Sequence, residues 1–237
     1  MRGLFITGTD TGVGKTYVGT AMAAALTARG LRVRARKPVE SGCPCIDGEL
    51  RPEDALAYAA ASGEPLAAVC RYRLAAALSP ERAARLQGVS YALVDLVEAC
   101  RTGLAADDLL LVEGAGGFLS PIAPDGLNAD LALALGLPVL LVAADRLGAI
   151  HQVLVTAEAI QRRGLALAGV VLNEVRPVDD LDMDNAADLT LWLKTIIRTD
   201  AIGRQVPLVR LPHGLDTRVA ARMLLDRIAE LRVTPRP

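Results

Sequence analysis

The sequence is poor in cysteine and aromatic residues, and its positive and negative charges nearly balance. Four cysteines in a chain of 237 are too few and too scattered for a disulfide framework. We therefore expect a reducing compartment and a cytoplasmic protein. With 26 basic and 27 acidic residues the net charge is −1, so no excess of positive charge points to nucleic acid as a partner.

Long hydrophobic runs are missing as well. Although 52% of the residues are hydrophobic, a charge, proline or glycine interrupts each apolar run well before the roughly 18 residues that a spanning helix needs. The first residues, MRGLFITG, enter a strand pattern too early to be a signal peptide. We expect no membrane association, and the apolar content suits one α/β domain over residues 1–237.

Lysine is also scarce, and the places where it occurs are informative. The chain has three lysines, Lys15, Lys37 and Lys194, while arginine supplies the other basic side chains. Two of the three come directly after the first two predicted strands. A lysine is a compact charge on a thin stem that can reach a phosphate group, whereas arginine is a planar fork. Chance placement is the plain alternative, but this placement favours a chemical role for Lys15 and Lys37.

Strand and helix patterns alternate along the whole chain. Uninterrupted apolar runs predict strands at residues 4–7, 109–117, 137–145 and 165–175, an alternating run predicts one at 31–36, and a short run lies near 205–211. Helical patterns between them cover residues 15–29, 52–61, 90–101, 148–163, 179–198 and 216–232. This order predicts a doubly wound α/β fold, with a mostly parallel sheet covered by helices on both faces. Residues 43–51 are the segment for which we expect most mobility.

Polar and glycine-rich residues gather at the carboxyl ends of the predicted strands. In a doubly wound sheet these ends meet at one edge, which is where ligands bind. Five strand exits carry such residues, at positions 11–16, 37–42, 113–117, 145–151 and 173. Random placement would rarely produce this distribution, so the sequence predicts one ligand site at that edge.

The stretch GTDTGVGKT, Gly8 to Thr16, resembles a phosphate-binding loop of the P-loop NTPase type. It follows a strand and begins a helix, which is the context that such a loop requires. It departs from the usual G-x-x-x-x-G-K-[ST] pattern because Thr9 occupies the position of the first glycine. Lys15 is expected to reach the phosphates and Thr16 to bind Mg²⁺. A structural strand-to-helix turn is the alternative. The expected ATP-binding residues of the loop are Gly12, Val13, Gly14, Lys15 and Thr16.

Two acidic residues are candidates for the magnesium site. Glu113 ends a buried strand, and the Gly-Ala-Gly-Gly that follows it argues for close approach to a ligand rather than for a solvated strand end. Asp54 lies near the start of a predicted helix, where an acid is commonly only a partner of the helix dipole. Oxygen ligands of this kind suit Mg²⁺, which keeps several of its waters, so one or two carboxylates suffice.

Three further segments are ambiguous from local sequence. Lys37 is followed by Ser41 and Gly42, which suits an anionic reaction centre, but a surface lysine on a turn would look the same. The segment from Asp145 to His151 enters a helix whose N–H groups could hold a carboxylate, although a histidine at a helix start is more often a capping or interface residue. Asn173 could read a base edge or simply lie in a turn.

Together these motifs resemble the dethiobiotin synthetase family. The resemblance extends in order through nearly the whole chain and includes TGTDTGVGKT, KPVESG, LRPEDALA, LLVEGAGG, LPVLLVAADRLGAIH and LAGVVLNEV. The loop alone is shared by many ATPases, whereas KPV-x-SG, VEGAGG and LG-x-I together are far more specific. The resemblance implies an enzyme that converts 7,8-diaminononanoate, CO₂ and MgATP to dethiobiotin, ADP and phosphate. A carbamate forms, ATP phosphorylates it, and the second amine closes the cyclic urea.

The resemblance also assigns roles to individual residues. Lys15 and Lys37 would be the catalytic residues, holding the γ-phosphate and the carbamate oxygens. The implied Mg²⁺ ligands are Thr16, Asp54 and Glu113, and Asp54 would also contact ATP. Adenine would be recognised by Asn173, Pro207, Leu208 and Val209. The implied substrate-binding residues are Thr11, Lys37, Ser41, Arg146, Leu147, Gly148, Ala149, Ile150 and His151. The family is a homodimer in which the far carboxylate of the substrate reaches the last segment in the partner subunit.

Some positions depart from the family pattern, and another class remains possible at this stage. Family members often have lysine at Arg146 and asparagine at His151, and an acid near the ribose is replaced by Gly214. The alternative is a nucleotide-switch ATPase of the partitioning type, which shares the fold. That group typically carries lysine near the position of Asp10 and often has a basic or amphipathic tail, and the tail LRVTPRP is too short for one.

Overall fold

The computed structural model describes residues 2–177, 182–196 and 205–228. Along the chain the described elements are β1 (Arg2–Gly8), α1 (Lys15–Ala28), β2 (Val33–Arg36), β3 (Val39–Ser41), β4 (Cys45–Ile46), β5 (Glu49–Leu50), α2 (Glu53–Ser62), α3 (Leu66–Val69), β6 (Tyr72–Leu74), α4 (Pro80–Gln87), α5 (Leu93–Arg101), β7 (Leu109–Gly117), β8 (Pro121–Ala123), β9 (Gly126–Leu127), α6 (Asn128–Leu135), β10 (Val139–Ala144), α7 (Ala149–Arg162), β11 (Leu167–Asn173), α8 (Asn185–Ile196), β12 (Leu208–Leu211) and α9 (Thr217–Ile228).

Six strands form one parallel sheet in the order β12-β11-β10-β1-β7-β2. Its central strands are continuous apolar runs because both faces are covered, as parallel sheets require. The strand order reverses beside β1. Strands β2 and β7 lie on one side of β1, and β10, β11 and β12, which come later in the chain, lie on the other. Such a reversal opens a crevice at the carboxyl ends of the strands. The predicted fold class is therefore confirmed.

Side chains of each strand alternate between two apolar layers. In β1, Phe5 packs with residues of α5, α6 and α7, whereas Leu4 and Ile6 pack with residues of α1, α2 and α9. Alternation of this kind follows from the two-residue period of a strand. Helices consequently lie on both faces, as expected. No helix in the described part of the chain combines the length and apolar character needed to cross a membrane.

The structure adds elements that the sequence patterns did not identify. Residues 43–51 form the hairpin of β4 and β5, which turns at Asp47 and Gly48, both with positive φ. Helix α4 follows Ser79 with proline in its first turn, and α6 ends at Gly136 in the left-handed conformation. The helices predicted at 179–198 and 216–232 extend partly outside the described residues. A single nucleotide-binding domain over residues 1–237 stays a prediction.

Candidate functional site

The loop between β1 and α1 has the conformation of a phosphate cradle. Gly12 and Gly14 have φ angles of 74° and 92°, in the region that favours glycine. A Cβ at Gly8 would lie 2.8 Å from the Asp10 carbonyl oxygen, so the close approach that needs glycine occurs one residue before Thr9. The structure thus explains why the motif can carry threonine at position 9, because the position that must lack a side chain is Gly8.

The loop is supported from below by Asn173 at the end of β11. Its side-chain amide donates a hydrogen bond of 3.1 Å to the carbonyl oxygen of Val13. A Cβ at Gly14 would lie 2.1 Å from the same amide nitrogen. Gly14 is therefore required both by its backbone conformation and by the space that Asn173 occupies.

Lys15 opens α1 at the base of the loop. Its helix has no side-chain cap, because the N-cap is Gly14, so the first N–H groups are available to an anion. The Lys15 ammonium donates to the carbonyl oxygen of Asp10 at 2.9 Å and thus lies under the mouth of the loop. Burial lowers the pKa of Lys15, although Glu113 acts in the opposite direction.

Lys37 is the most deeply enclosed cation of the site, with 3% of its surface exposed. Its ammonium contacts the carboxylate of Glu113, the carboxylate of Asp54 at 3.0 Å and the carbonyl oxygen of Gly114 at 3.3 Å. Burial by itself lowers the pKa of an ammonium, but the two carboxylates outweigh it and raise the pKa of Lys37. Lys37 is therefore a cation at neutral pH and suits charge stabilisation rather than proton abstraction.

The residues predicted to hold Mg²⁺ come together here. The Thr16 hydroxyl donates to the carboxylate of Glu113 at 3.1 Å. The carboxylates of Asp54 and Glu113 both contact the Lys37 ammonium. Glu113 is 1% exposed, and burial, together with the charge of Glu113 and a hydrogen bond to it, raises the pKa of the buried Tyr58 hydroxyl. The Thr16 hydroxyl and the two carboxylates form an all-oxygen donor set, which fits Mg²⁺.

These residues line one cleft of about 680 Å³ at the carboxyl edge of the sheet. The loop, the start of α1 and the segment from Ala77 to Pro80 line it. Both lysines, Lys15 and Lys37, line this cleft, so the expectation that they share one site is met by their geometry. The site residues in the cleft are Thr11, Gly12, Gly14, Lys15, Thr16, Lys37, Ser41, Asp54 and Glu113.

Ser41 and Val13 show two different environments within the predicted set. The Ser41 hydroxyl lies in the cleft and donates to the carbonyl oxygen of Leu78 at 2.7 Å, so its lone pairs remain able to accept a bond. The Val13 side chain is buried beneath the loop, so only its backbone could face a phosphate.

The segment from Arg146 to His151 does not line this cleft. Arg146 and Leu147 line a second cleft of about 610 Å³, which shares Thr11 and Gly12 with the first and lies on the other side of the loop. Gly148 is the left-handed N-cap of α7, and His151 is exposed in the first turn of that helix. Ala149 is buried and Ile150 is half-buried. Within one chain, these residues and Ser41 lie in separate places.

The structure contradicts the prediction that Pro207, Leu208 and Val209 bind adenine beside Asn173. Strand β12 runs parallel to β11: its first residue, Leu208, pairs with Val170, and its last, Leu211, pairs with Asn173. Pro207 precedes the strand and therefore lies toward the amino ends of the strands, four residues or about 13 Å from Asn173 along β11. It lines a different cleft together with Lys194 and Arg227.

Sequence reasoning missed the segment that follows β12, which begins at the carboxyl ends of the strands, on the same side of the sheet as the loop. The Glu174 amide, next to Asn173, donates to the carbonyl oxygen of Leu211 at 2.9 Å, and His213 contacts the carbonyl oxygen of Glu174 at 3.2 Å. A proline flanks β12 on each side, at 207 and 212, and only the direction of the strand decides which lies at the loop edge.

Two buried polar residues behind the site were also missed. Asn128 donates to the carbonyl oxygens of Ala115 and Gly117 and accepts from the amide of Ala115, so it shapes the glycine turn after β7. Glu40, inside the KPVESG motif, accepts from the amides of Asp54 and Ala55. Burial raises the pKa of Glu40 to about 7, although the bond from Ala55 lowers it. An acid directly after the apolar Val39, within a predicted strand exit, was the available signal.

The family model and the relatives found by sequence agree on one family. The model described as "AAA domain" matches residues 2–202. An ATP-dependent dethiobiotin synthetase from Anaeromyxobacter dehalogenans (strain 2CP-C) is 45% identical over 94% of this chain and 96% of its own length. Another, from Anaeromyxobacter sp. (strain Fw109-5), is 42% identical over 97% of this chain and 98% of its own. Among solved structures, chloroplast FtsY from Physcomitrella patens has a TM-score of 0.45 at 17% identity, covering 94% of this chain and 64% of that one.

Proposed function

This chain belongs to the dethiobiotin synthetase family, and we propose that its main cleft holds MgATP and the carbamate of a diamine side by side. It is an ATP-dependent cyclo-ligase of biotin synthesis that joins 7,8-diaminononanoate and CO₂ into a cyclic urea. The partitioning-type ATPase is not favoured by these relatives. The observation that carries the proposal is that Lys15 and Lys37 line one cleft, which Asp54 and Glu113 also line.

The anions of this reaction repel one another, and the cleft gathers positive charge to hold them. Phosphoryl transfer is mainly positioning and charge neutralisation. The N–H groups at the start of α1 and the Lys15 ammonium face the β- and γ-phosphates. Lys37, held as a cation by Glu113 and Asp54, faces the carbamate oxygen that attacks the γ-phosphorus as ADP leaves.

The second half of the reaction needs the two nitrogens of the substrate to stay close. Thr11 and Ser41, which both line the cleft, hold the carbamate end by hydrogen bonds. The free amine then attacks the carbonyl carbon of the carbamic–phosphoric anhydride, phosphate leaves with the bonding electrons, and the nitrogen loses a proton. Holding both partners in one place makes this ring closure an intramolecular step.

Thr16, Asp54 and Glu113 are the residues that would hold Mg²⁺. When bound, the ion neutralises phosphate charge and orients the β- and γ-phosphates. The hydrogen bond from Thr16 to Glu113 and the contact of both carboxylates with Lys37 support this assignment, because they place the three oxygen donors together.

We place the adenine beside Asn173 and the segment that follows β12, residues 212–214, in place of Pro207, Leu208 and Val209. Asn173 pairs with Leu211 at the carboxyl edge, and its amide already supports the loop through Val13. The nucleotide would thus extend from the loop across the ends of β11 and β12.

We also propose that the enzyme is a homodimer. Because the segment from Arg146 to His151 lies outside the main cleft of its own chain, the far carboxylate of the substrate would reach this segment on the partner subunit. The uncapped N-terminus of α7, which begins after Gly148, supports carboxylate binding there.

The experiment that tests the proposal supplies diaminononanoate, bicarbonate and MgATP, and follows the cyclic urea by mass spectrometry and ADP by a coupled assay. We expect one ADP per cyclic urea and negligible ADP without the diamine. ATP hydrolysis that proceeds at the same rate without the diamine would contradict the ligase function.

A further inference from the structure

Glu40 is a buried acid of the main cleft to which the proposed reaction gives no role. It lies in β3, three residues after Lys37, and 6% of its surface is exposed. Its oxygen Oε1 accepts a hydrogen bond of 3.0 Å from the amide of Asp54, and Oε2 accepts one of 2.8 Å from the amide of Ala55. Both carboxylate oxygens therefore point at the first turn of α2.

The start of α2 depends on this distant residue for its cap. The residue at the cap position is Pro52, whose side chain offers no acceptor, and α2 has no local side-chain cap. The first amides of a helix have no partner within the helix, and a cap residue normally bonds the second or third of them. Asp54 and Ala55 are those two positions, so Glu40 takes over the cap from a neighbouring strand.

The cap also determines where the Asp54 carboxylate lies. The Asp54 carboxylate contacts the Lys37 ammonium at 3.0 Å, while the Asp54 amide is held by Glu40. Lys37 and Glu40 belong to one short segment, which pairs with β6. The three residues are thus linked in a closed circuit. The chain joins Lys37 to Glu40, Glu40 bonds the Asp54 amide, and the Asp54 carboxylate contacts Lys37.

We propose that Glu40 is a positioning residue, which caps α2 from β3 and thereby holds the Asp54 carboxylate beside Lys37 and the magnesium position. The inference rests on the proposed function, because it takes Asp54 as a ligand of the metal. Residues that orient a metal ligand in this way typically change metal affinity by 10- to 100-fold when removed.

Global stabilisation of α2 is the competing explanation, and the packing of the helix separates the two. Ala55 and Tyr58 anchor α2 in the core, and both are fully buried. Loss of Glu40 therefore frees the first turn while the rest of the helix stays docked. We expect a modest change in thermal stability together with a large change in the magnesium dependence of nucleotide binding.

The test measures binding of the nonhydrolysable analogue AMP-PNP by calorimetry, with Mg²⁺ and with EDTA. We expect Glu40→Ala to weaken binding about tenfold in Mg²⁺ and to leave binding in EDTA unchanged. Glu40→Gln retains one acceptor oxygen and should fall between Glu40→Ala and the parent protein, and it serves if Glu40→Ala fails to fold. In an Asp54→Ala background, adding Glu40→Ala should change the Mg²⁺ effect by less than about twofold, since coupled residues are not additive.

Asp95→Ala is the matched control. Asp95 accepts a bond of 2.8 Å from the amide of Ala92 at the start of α5, away from the cleft. It should lower thermal stability to a similar degree without changing the magnesium dependence.

Equal effects of Glu40→Ala in Mg²⁺ and in EDTA, or independent effects of the Glu40 and Asp54 substitutions, would overturn the inference. So would an Asp54→Ala variant with unchanged magnesium dependence in a protein that still forms cyclic urea, and this result leaves the ligase function intact. A parent protein that does not bind AMP-PNP with Mg²⁺ rejects both proposals.

Discussion

Among single residues, Lys37 contacts two carboxylates: that of Glu113, which is buried, and that of Asp54, whose side chain is 41% exposed. The side chains of Lys37 and Glu113 are almost fully enclosed. Removing one partner of such a pair costs about 3–5 kcal/mol, because the other charge is left unpaired. The same ammonium is proposed to face the reacting oxygens, so stability and turnover both depend on it.

We predict that Lys37→Ala and Lys37→Arg reduce cyclic-urea formation by at least about 100-fold, the magnitude expected when a preorganised charge is lost. Arginine keeps the charge, but its planar fork does not fit a space made for an ammonium that is 3% exposed. Nucleotide binding by the loop should persist. The exposed Lys194 provides the control, since Lys194→Ala should retain full turnover. A Lys37 variant with half the parent activity would remove Lys37 from the mechanism.

The cysteines should differ sharply in reactivity. Burial raises the pKa of Cys70 and of Cys100 to about 12 and also raises the pKa of Cys43, whereas Cys45 is exposed in the hairpin of β4 and β5. Since the thiolate is the nucleophile, a raised pKa lowers the reactive fraction at pH 8. Titration with Ellman's reagent should therefore detect about one fast thiol per folded chain, and Cys45→Ser should abolish it. Two or more fast thiols would contradict this assignment.

At the scale of elements, the loop and strands were predictable because each leaves a local signal. The continuous apolar run of residues 109–117 matches β7 to the residue, and Gly-Lys-Thr at a strand-to-helix junction identified the phosphate loop. The prediction that placed adenine at Pro207 could not draw on the parallel pairing of β12 with β11, which decides whether Pro207 or Pro212 lies beside the loop, because that pairing is a long-range property. Glu40 was missed for the same reason, since its partners lie 14 and 15 residues ahead.

Two glycines allow the cost of a left-handed backbone conformation to be distinguished from the cost of a steric clash. Gly14 and Gly30 both have positive φ, of 92° and 81°, but a Cβ at Gly30 meets nothing within 4 Å, whereas at Gly14 it would collide with Asn173. Gly30→Ala should cost about 1–2 kcal/mol of unfolding free energy from backbone strain alone. Gly14→Ala should cost more and should also abolish ATP binding. Urea unfolding and calorimetry measure both, and equal effects of the two substitutions would show that Asn173 imposes no further constraint.

At the scale of the whole molecule, the parallel sheet determines which residues can meet. All six strands end at one edge, and this brings Lys15, Lys37 and Glu113 from three strand exits into one cleft. The exit of β10 lies on the other side of the loop, so Arg146 and Leu147 face a separate cleft. The sequence predicted that the exits share an edge. It could not predict on which side of the loop each one lies, because that depends on strand order.

This separation leads to a test of the proposed dimer by complementation. If the substrate carboxylate reaches the partner subunit, a Lys37→Ala chain and an Arg146→Glu chain damage different halves of each site. After unfolding and refolding an equal mixture, about half of the dimers are mixed, and each mixed dimer contains one site with Lys37 and Arg146 both intact. The mixture should therefore recover about a quarter of the parent activity, as expected for a two-fold symmetric interface, while each variant alone stays inactive.

The size of the recovery distinguishes the arrangements. If the carboxylate binds its own chain, every site in a mixed dimer carries one of the two substitutions, and mixing restores nothing. The same holds for a monomer, which sedimentation velocity identifies separately. The refolded parent protein fixes the full activity, and a mixture of Lys37→Ala with Lys37→Arg supplies the background, since both chains are damaged in the same half-site. Recovery no higher than that background would show that Arg146 does not act across a subunit interface.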